Sequence, residues 1–209
     1  MAYELLLLRL FSLMYWDHFA HLIISMALLG FGASGTLLAL LQHRLLPYFH
    51  RSFFVSALLF SMTLLTATSM AGRIGFNPPE VIWNGGQLAR LAVVFIITTM
   101  PFLCAGLCIG LTMRWKTESV TRVYQADLSG AACGALLIMA LLFLLPPQDG
   151  LRAAALIGFA AAVPVSHLVG DKQQVRLGRL ALAIVTLLIV IWPARWLAPV
   201  ISPFKSLPQ

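Results

Sequence analysis

Long apolar runs separated by short polar stretches dominate the chain, and their lengths set the first expectation. From His18 to His43 there are 26 residues without Asp, Glu, Lys or Arg, enough to cross a bilayer as a helix, which needs about 20. Ser52–Gly72 and Leu91–Met113 repeat the pattern, as do Leu128–Gln148, Ala153–Gly170 and the shorter Leu180–Ala194. Residues 1–16 are also apolar, but short, with Glu4 and Arg9 inside them. They read either as an interfacial helix or as part of a span. The expectation is an all-α, polytopic membrane bundle over residues 1–198, with six transmembrane helices and a partial N-terminal one. Residues 199–209 form a tail. Pro101, inside the third run, predicts a kink.

Small residues punctuate three of these runs at helical spacing: Gly30 and Ser34, Gly106 and Gly110, Gly130 and Gly134, each pair four apart. That interval puts both on one helix face and lets two membrane helices approach closely. These six are the expected packing positions. The first two stretches are alike in layout, since Gly30–Gly35 precedes Gln42-His43-Arg44 and Gly106–Gly110 precedes Arg114-Trp-Lys116. A weak internal repeat, of the kind transporters carry, is one reading. The plainer one, glycines marking tightly packed helix ends, is preferred. The eight Met and thirteen Phe are scattered through the spans and read as lipid-facing bulk.

Composition strengthens the membrane reading. Hydrophobic residues make up 60% of the chain and charged ones only 10%, against about a quarter charged in soluble domains; mean hydropathy is +0.92. A formal charge of +7 raises the question of nucleic acid. The cations, however, fall in short clusters between apolar runs, a topology signal rather than a phosphate-tracking face. No nucleic-acid partner is expected. The basic loops are His43 to Arg51, Arg114 to Arg122 and Asp171 to Arg179, and the alternate loops are poorer. The basic set should be cytoplasmic. Counted forward, this places the tail outside although it carries Arg195 and Lys205, so either one span is re-entrant or the tail is held outside despite its charge.

Candidate chemistry is sparse. Cys104, Cys108 and Cys133 lie inside apolar runs with neither metal spacing nor a disulfide framework. No phosphate loop, dinucleotide fingerprint, nucleophile elbow or zinc-protease motif occurs, so no catalytic residue, metal or cofactor is expected in this chain. Four positions remain as a candidate cation or proton site: Asp127, Asp17, His18 and His21. Asp17 and His21 share a helix face. With His18 they are open to two readings, a cluster that relays protons, binds a cation or ligates a metal, or an interfacial terminus beside Tyr15 and Trp16. Asp127 heads the fourth run, where it either caps a helix end, with Arg122 or Arg114 in reach, or forms a cation site at the cytoplasmic mouth.

Two stretches resemble a known family. Tyr3-Glu-Leu-Leu-Leu-Leu-Arg-Leu-Phe-Ser12, with His18-Phe-Ala and Ala27-Leu-Leu-Gly-Phe-Gly-Ala-Ser-Gly35, is similar to the first membrane helices of bacterial spermidine-synthase-like integral membrane proteins. Tyr124-Gln-Ala-Asp-Leu-Ser-Gly-Ala-Ala-Cys-Gly134 resembles the same family's Tyr-x-Ala-Asp-Leu-x-Gly-Ala-x-x-Gly signature. The resemblance implies a multi-helix inner-membrane region ahead of a soluble domain like the polyamine aminopropyltransferases. The chain is expected to begin partway through the family's first helix, and Ser202 to Gln209 looks like the linker to that soluble domain. The domain's cofactor loop and acidic polyamine-binding residues match no position here, so no catalytic residue is carried over. The function expected is a non-catalytic membrane domain that anchors, or supplies substrate to, an aminopropyltransferase-like domain or partner. The alternative is a small transporter or channel subunit handling a cation or polyamine. Other partners expected are the lipid bilayer and a second copy of the chain.

Overall fold

A computed structural model describes residues 1–14, 20–74, 80 and 83–162, and these are helical, with no strand among them. The helices are α1 (Ala2–Met14), α2 (Ala20–Leu45), α3 (Phe49–Arg73), α4 (Gly85–Trp115), α5 (Val120–Leu144) and α6 (Pro147–Ala160); a 3₁₀ turn, Thr117–Ser119, joins α4 to α5. Four segments are long and apolar enough to cross a bilayer: His21–Leu45, Phe49–Arg73, Gly85–Trp115 and Thr117–Leu144. This is the arrangement of a multi-pass membrane protein. The start of the fifth expected span falls in α6; its end, the whole sixth span and the tail lie outside the described residues.

Local chemistry accounts for the element ends. Asn84 opens α4 by accepting the Gly86 amide on its side chain at 2.9 Å, an N-cap that satisfies an otherwise orphaned donor. Pro146-Pro147 stops α5 and starts α6, with a proline at the first helical position, where no amide hydrogen is needed. α4 stays helical through Pro101 over 31 residues, about 46 Å at the usual rise, so its ends project beyond the hydrocarbon layer. α3 carries the most hydroxyls and turns them onto its own backbone. Ser61, Thr66, Thr68 and Ser69 donate to carbonyls one turn back at 2.6–3.2 Å. In hydrocarbon such internal satisfaction is what lets a Ser/Thr-rich segment stay inserted.

The core forms where one face of each helix meets its neighbours. On α1, Tyr3, Leu6, Leu7, Leu10 and Phe11 are buried, a 3.6-residue stripe packed against α2, α5 and α6. The segment too short to span is therefore built into the bundle. The seam between α2 and α4 is the most regular feature. Thr98 donates to the Met26 sulfur at 3.0 Å. A Cβ added at Gly30 would meet the Phe102 Cβ at 2.5 Å, and one at Gly106 would strike Ser34. One at Gly110 would come to 2.8 Å of Leu38. The four pairs, 26 with 98, 30 with 102, 34 with 106 and 38 with 110, are each 72 positions apart and advance by four on both helices. α2 and α4 thus run parallel, in one fixed register. The two small-residue stretches noted above face each other across a single seam.

Phenylalanine departs from its expected place. Phe11, Phe49, Phe54, Phe102 and Phe159 are buried, not lipid-facing, because an apolar side chain gains packing contacts wherever a small residue opposite leaves room.

Candidate functional site

The glycines of α5 behave differently from those of α2 and α4. Among the described residues, nothing lies within 4 Å of a Cβ placed on Gly130, and on Gly134 it would touch only Ala2, at 3.8 Å. Along α5 only Ile138 is buried. The small-residue face of α5 does not close a helix seam among the described residues; it forms the wall of a cavity of about 380 Å3. All six helices contribute to its lining. Ala126, Asp127, Gly130, Ala131 and Gly134 come from α5, with Ala2 and Tyr3 from α1 opposite. Phe31, Phe60 and Phe102 project from α2, α3 and α4. On α6, Gly158 leaves the space that the Phe60 ring occupies.

The cavity is largely apolar. Asp127 carries the only charged side chain among its lining residues, is solvent-exposed and makes no ion pair among the described residues, so neither Arg122 nor Arg114 holds it. Tyr3 contributes its ring to the lining, while its hydroxyl is buried. Tyr3 is 4% exposed, and its Oη has no hydrogen-bond partner among the described residues. The ring is fixed by Phe102, at 4.9 Å between centroids, and Phe102 also meets Phe31 at 6.1 Å. Buried hydroxyls almost always find a partner, so this orphan costs the fold stability. Tyr3→Phe is expected to raise stability of the empty protein by about 1 kcal/mol, since it removes an uncompensated desolvation. Thermal unfolding in detergent checks this; a lower midpoint would show that the hydroxyl is already bonded.

The expected position of Asp127 needs correction. α5 begins at Val120, not at Leu128, because Val120, Val123 and Tyr124 carry the helix back past the run of unbroken apolarity. Asp127 is its eighth residue, beyond the first turn where the helix dipole favours a carboxylate. A capping role is thereby removed. His21 lies exposed in the first turn of α2, its carbonyl accepting from Ser25 Oγ at 3.2 Å; Asp17 and His18 lie outside the described residues. Cys104 is buried and Cys108 half-buried on one face of α4. No group of three His, Cys, Asp or Glu side chains comes together among the described residues.

Sequence reasoning singled out Asp127, Gly130 and Gly134 but missed Tyr3, Phe31, Phe60, Phe102 and Gly158. Phe102 stands opposite Gly30 in the 72-residue register, a relation that only the packing of α2 on α4 reveals. Chemically, a cavity with one carboxylate and several ring faces favours a cation that also has an apolar body. Comparisons of the chain with protein-family models, curated proteins and solved structures return no match.

Proposed function

We propose that the protein is a bacterial inner-membrane domain of six spans that binds a small organic cation of the amine class, with Asp127 as its counter-ion. The observation that carries this reading is the Asp127 carboxylate, without an ion-pair partner among the described residues, on the wall of a largely apolar cavity with aromatic faces. Its volume, about 380 Å3, falls in the range of small-ligand sites. The resemblance to spermidine-synthase-like membrane regions supports the same ligand class. On that reading the domain holds an amine substrate for an aminopropyltransferase-like domain or partner. A second reading, a transporter subunit for the same cation, is favoured by the parallel pairing of α2 with α4 at constant register, the layout of a parallel repeat.

Calorimetric titration of the purified protein with tetramethylammonium and with spermidine tests the site. Saturable binding of the cations, with none of the neutral isostere tert-butanol, is expected. A Gly130→Leu side chain would enter the open space beside Gly130, so this variant should bind at least about tenfold more weakly with its unfolding midpoint unchanged. Equal binding of cation and alcohol, or no binding, overturns the proposal. Uptake of the same cation into proteoliposomes then separates transport from supply.

A further inference from the structure

A second cleft lies at the basic end of the bundle, where the last turn of α2 meets the first turn of α3. It measures about 320 Å3 and is lined by Arg44, Leu45, Tyr48, Arg51, Ser52 and Ser56, with Val55 below them. Arg44 and Arg51 are exposed and neither has a carboxylate partner among the described residues. Two guanidiniums on one small cleft repel each other unless an anion sits between them, and their planar donor forks match a phosphate.

The local backbone reinforces that polarity. Tyr48 precedes α3 without a side-chain cap; the Phe49 amide is taken by the Leu46 carbonyl at 3.1 Å, but the positive end of the α3 dipole still favours an anion. The opposing negative end of α2 is partly occupied, because the Ser52 hydroxyl donates to the Leu45 carbonyl at 3.1 Å. Ser56 is buried on the floor. Unlike Ser61 and Ser69, whose hydroxyls turn back onto helix carbonyls, it makes no hydrogen bond among the described residues. Apolar surface continues from the cleft into the span: Val55 and Leu59 on α3 are 44% and 49% exposed, and Leu41 on α2 is 40%. Arg51, Val55 and Leu59 follow one another at helical spacing of four, so acyl-chain contacts extend directly from the guanidinium.

We propose that this cleft binds an anionic phospholipid, its phosphate between Arg44 and Arg51 and its acyl chains along Val55 and Leu59. A charged head over an apolar stripe fits a lipid rather than a soluble anion. Basic clefts between membrane helices on the cytoplasmic side are where such headgroups bind. The site is separate from the Asp127 cavity and does not depend on its ligand.

Native mass spectrometry of the full chain, titrated with phosphatidylglycerol and with phosphatidylcholine, tests this. Preferential retention of phosphatidylglycerol is expected, with a loss of about fivefold in affinity for R51Q and about thirtyfold for R44Q/R51Q. Arg114→Gln removes an exposed cation at the same end of the bundle but outside the cleft, and should change affinity less than about twofold. An excess of inorganic phosphate should not displace the lipid. Equal retention of the two lipids, equal losses in R51Q and R114Q, or displacement by inorganic phosphate would each overturn the proposal. The wild-type arms decide it even where the double variant fails to fold.

Discussion

Gly30→Ala is expected to destabilise the detergent-solubilised protein by about 1–3 kcal/mol, the usual range for overpacking a close contact, while Gly32→Ala leaves stability unchanged or raises it. The two residues are neighbours in the same glycine-rich turn, and substitution costs or gains the same intrinsic helix propensity at both. Their surroundings differ. A Cβ on Gly30 would lie 2.5 Å from the Phe102 Cβ and 3.0 Å from both the Leu103 amide and the Thr99 carbonyl, whereas nothing lies within 4 Å of one on Gly32. Backbone atoms cannot rotate aside as a side-chain terminus can, so α2 and α4 would have to separate. Separation would also stretch the contacts at Ser34 and Leu38, since all four pairs share one register. Thermal unfolding of the two variants in parallel measures the difference. Equal midpoints would show that the parallel seam is not a stabilising contact.

How far the sequence shows this molecule depends on whether a feature is local. Spans are local: length and apolarity suffice, and α2, α3 and α4 fall where the uncharged runs lie. Small-residue spacing marks helix faces that can approach another helix, but not which helix. Gly30/Ser34 and Gly106/Gly110 look like two seams in the sequence, yet α3 returns the chain so that α2 and α4 run side by side and they form one. Gly130/Gly134 have the same spacing and no close partner among the described residues; their open face becomes a cavity wall. Helix starts are legible only when apolarity marks them. α5 extends eight residues upstream of Leu128, because Val120 to Asp127 are compatible with helix without being uniformly apolar. The cavity itself is the least local feature. Its Phe side chains come from α2, α3 and α4, and no spacing rule links them before the register of the helices is known. Tyr3 was hidden for a related reason: its segment is too short to read as a span, and only the packing of α1 on α5 and α6 buries it.

Asp127→Asn is expected to weaken binding of tetramethylammonium about fivefold. Asparagine keeps the shape and one acceptor oxygen and removes only the charge, so the loss reports the ion pair itself. Tetramethylammonium has no N–H to donate, so the contact is an ion pair at an exposed carboxylate, which contributes about 1 kcal/mol, and every 1.4 kcal/mol is a factor of about ten in affinity. Three features argue that this contribution is not already used within the protein. Asp127 has no ion-pair partner among the described residues, it lies beyond the first turn of α5 where the dipole would compete for it, and it lines the cavity. Because the side chain is exposed, the substitution should shift folding stability by less than about 0.5 kcal/mol, which separates a binding defect from a folding defect. Asp127→Glu restores the charge one methylene farther along and should recover part of the affinity. Calorimetric titration of the three proteins at one ionic strength gives the ranking Asp, Glu, Asn. Identical affinities for the wild type and D127N would exclude Asp127 as the counter-ion, and the cavity would then have to bind its ligand through its ring faces alone.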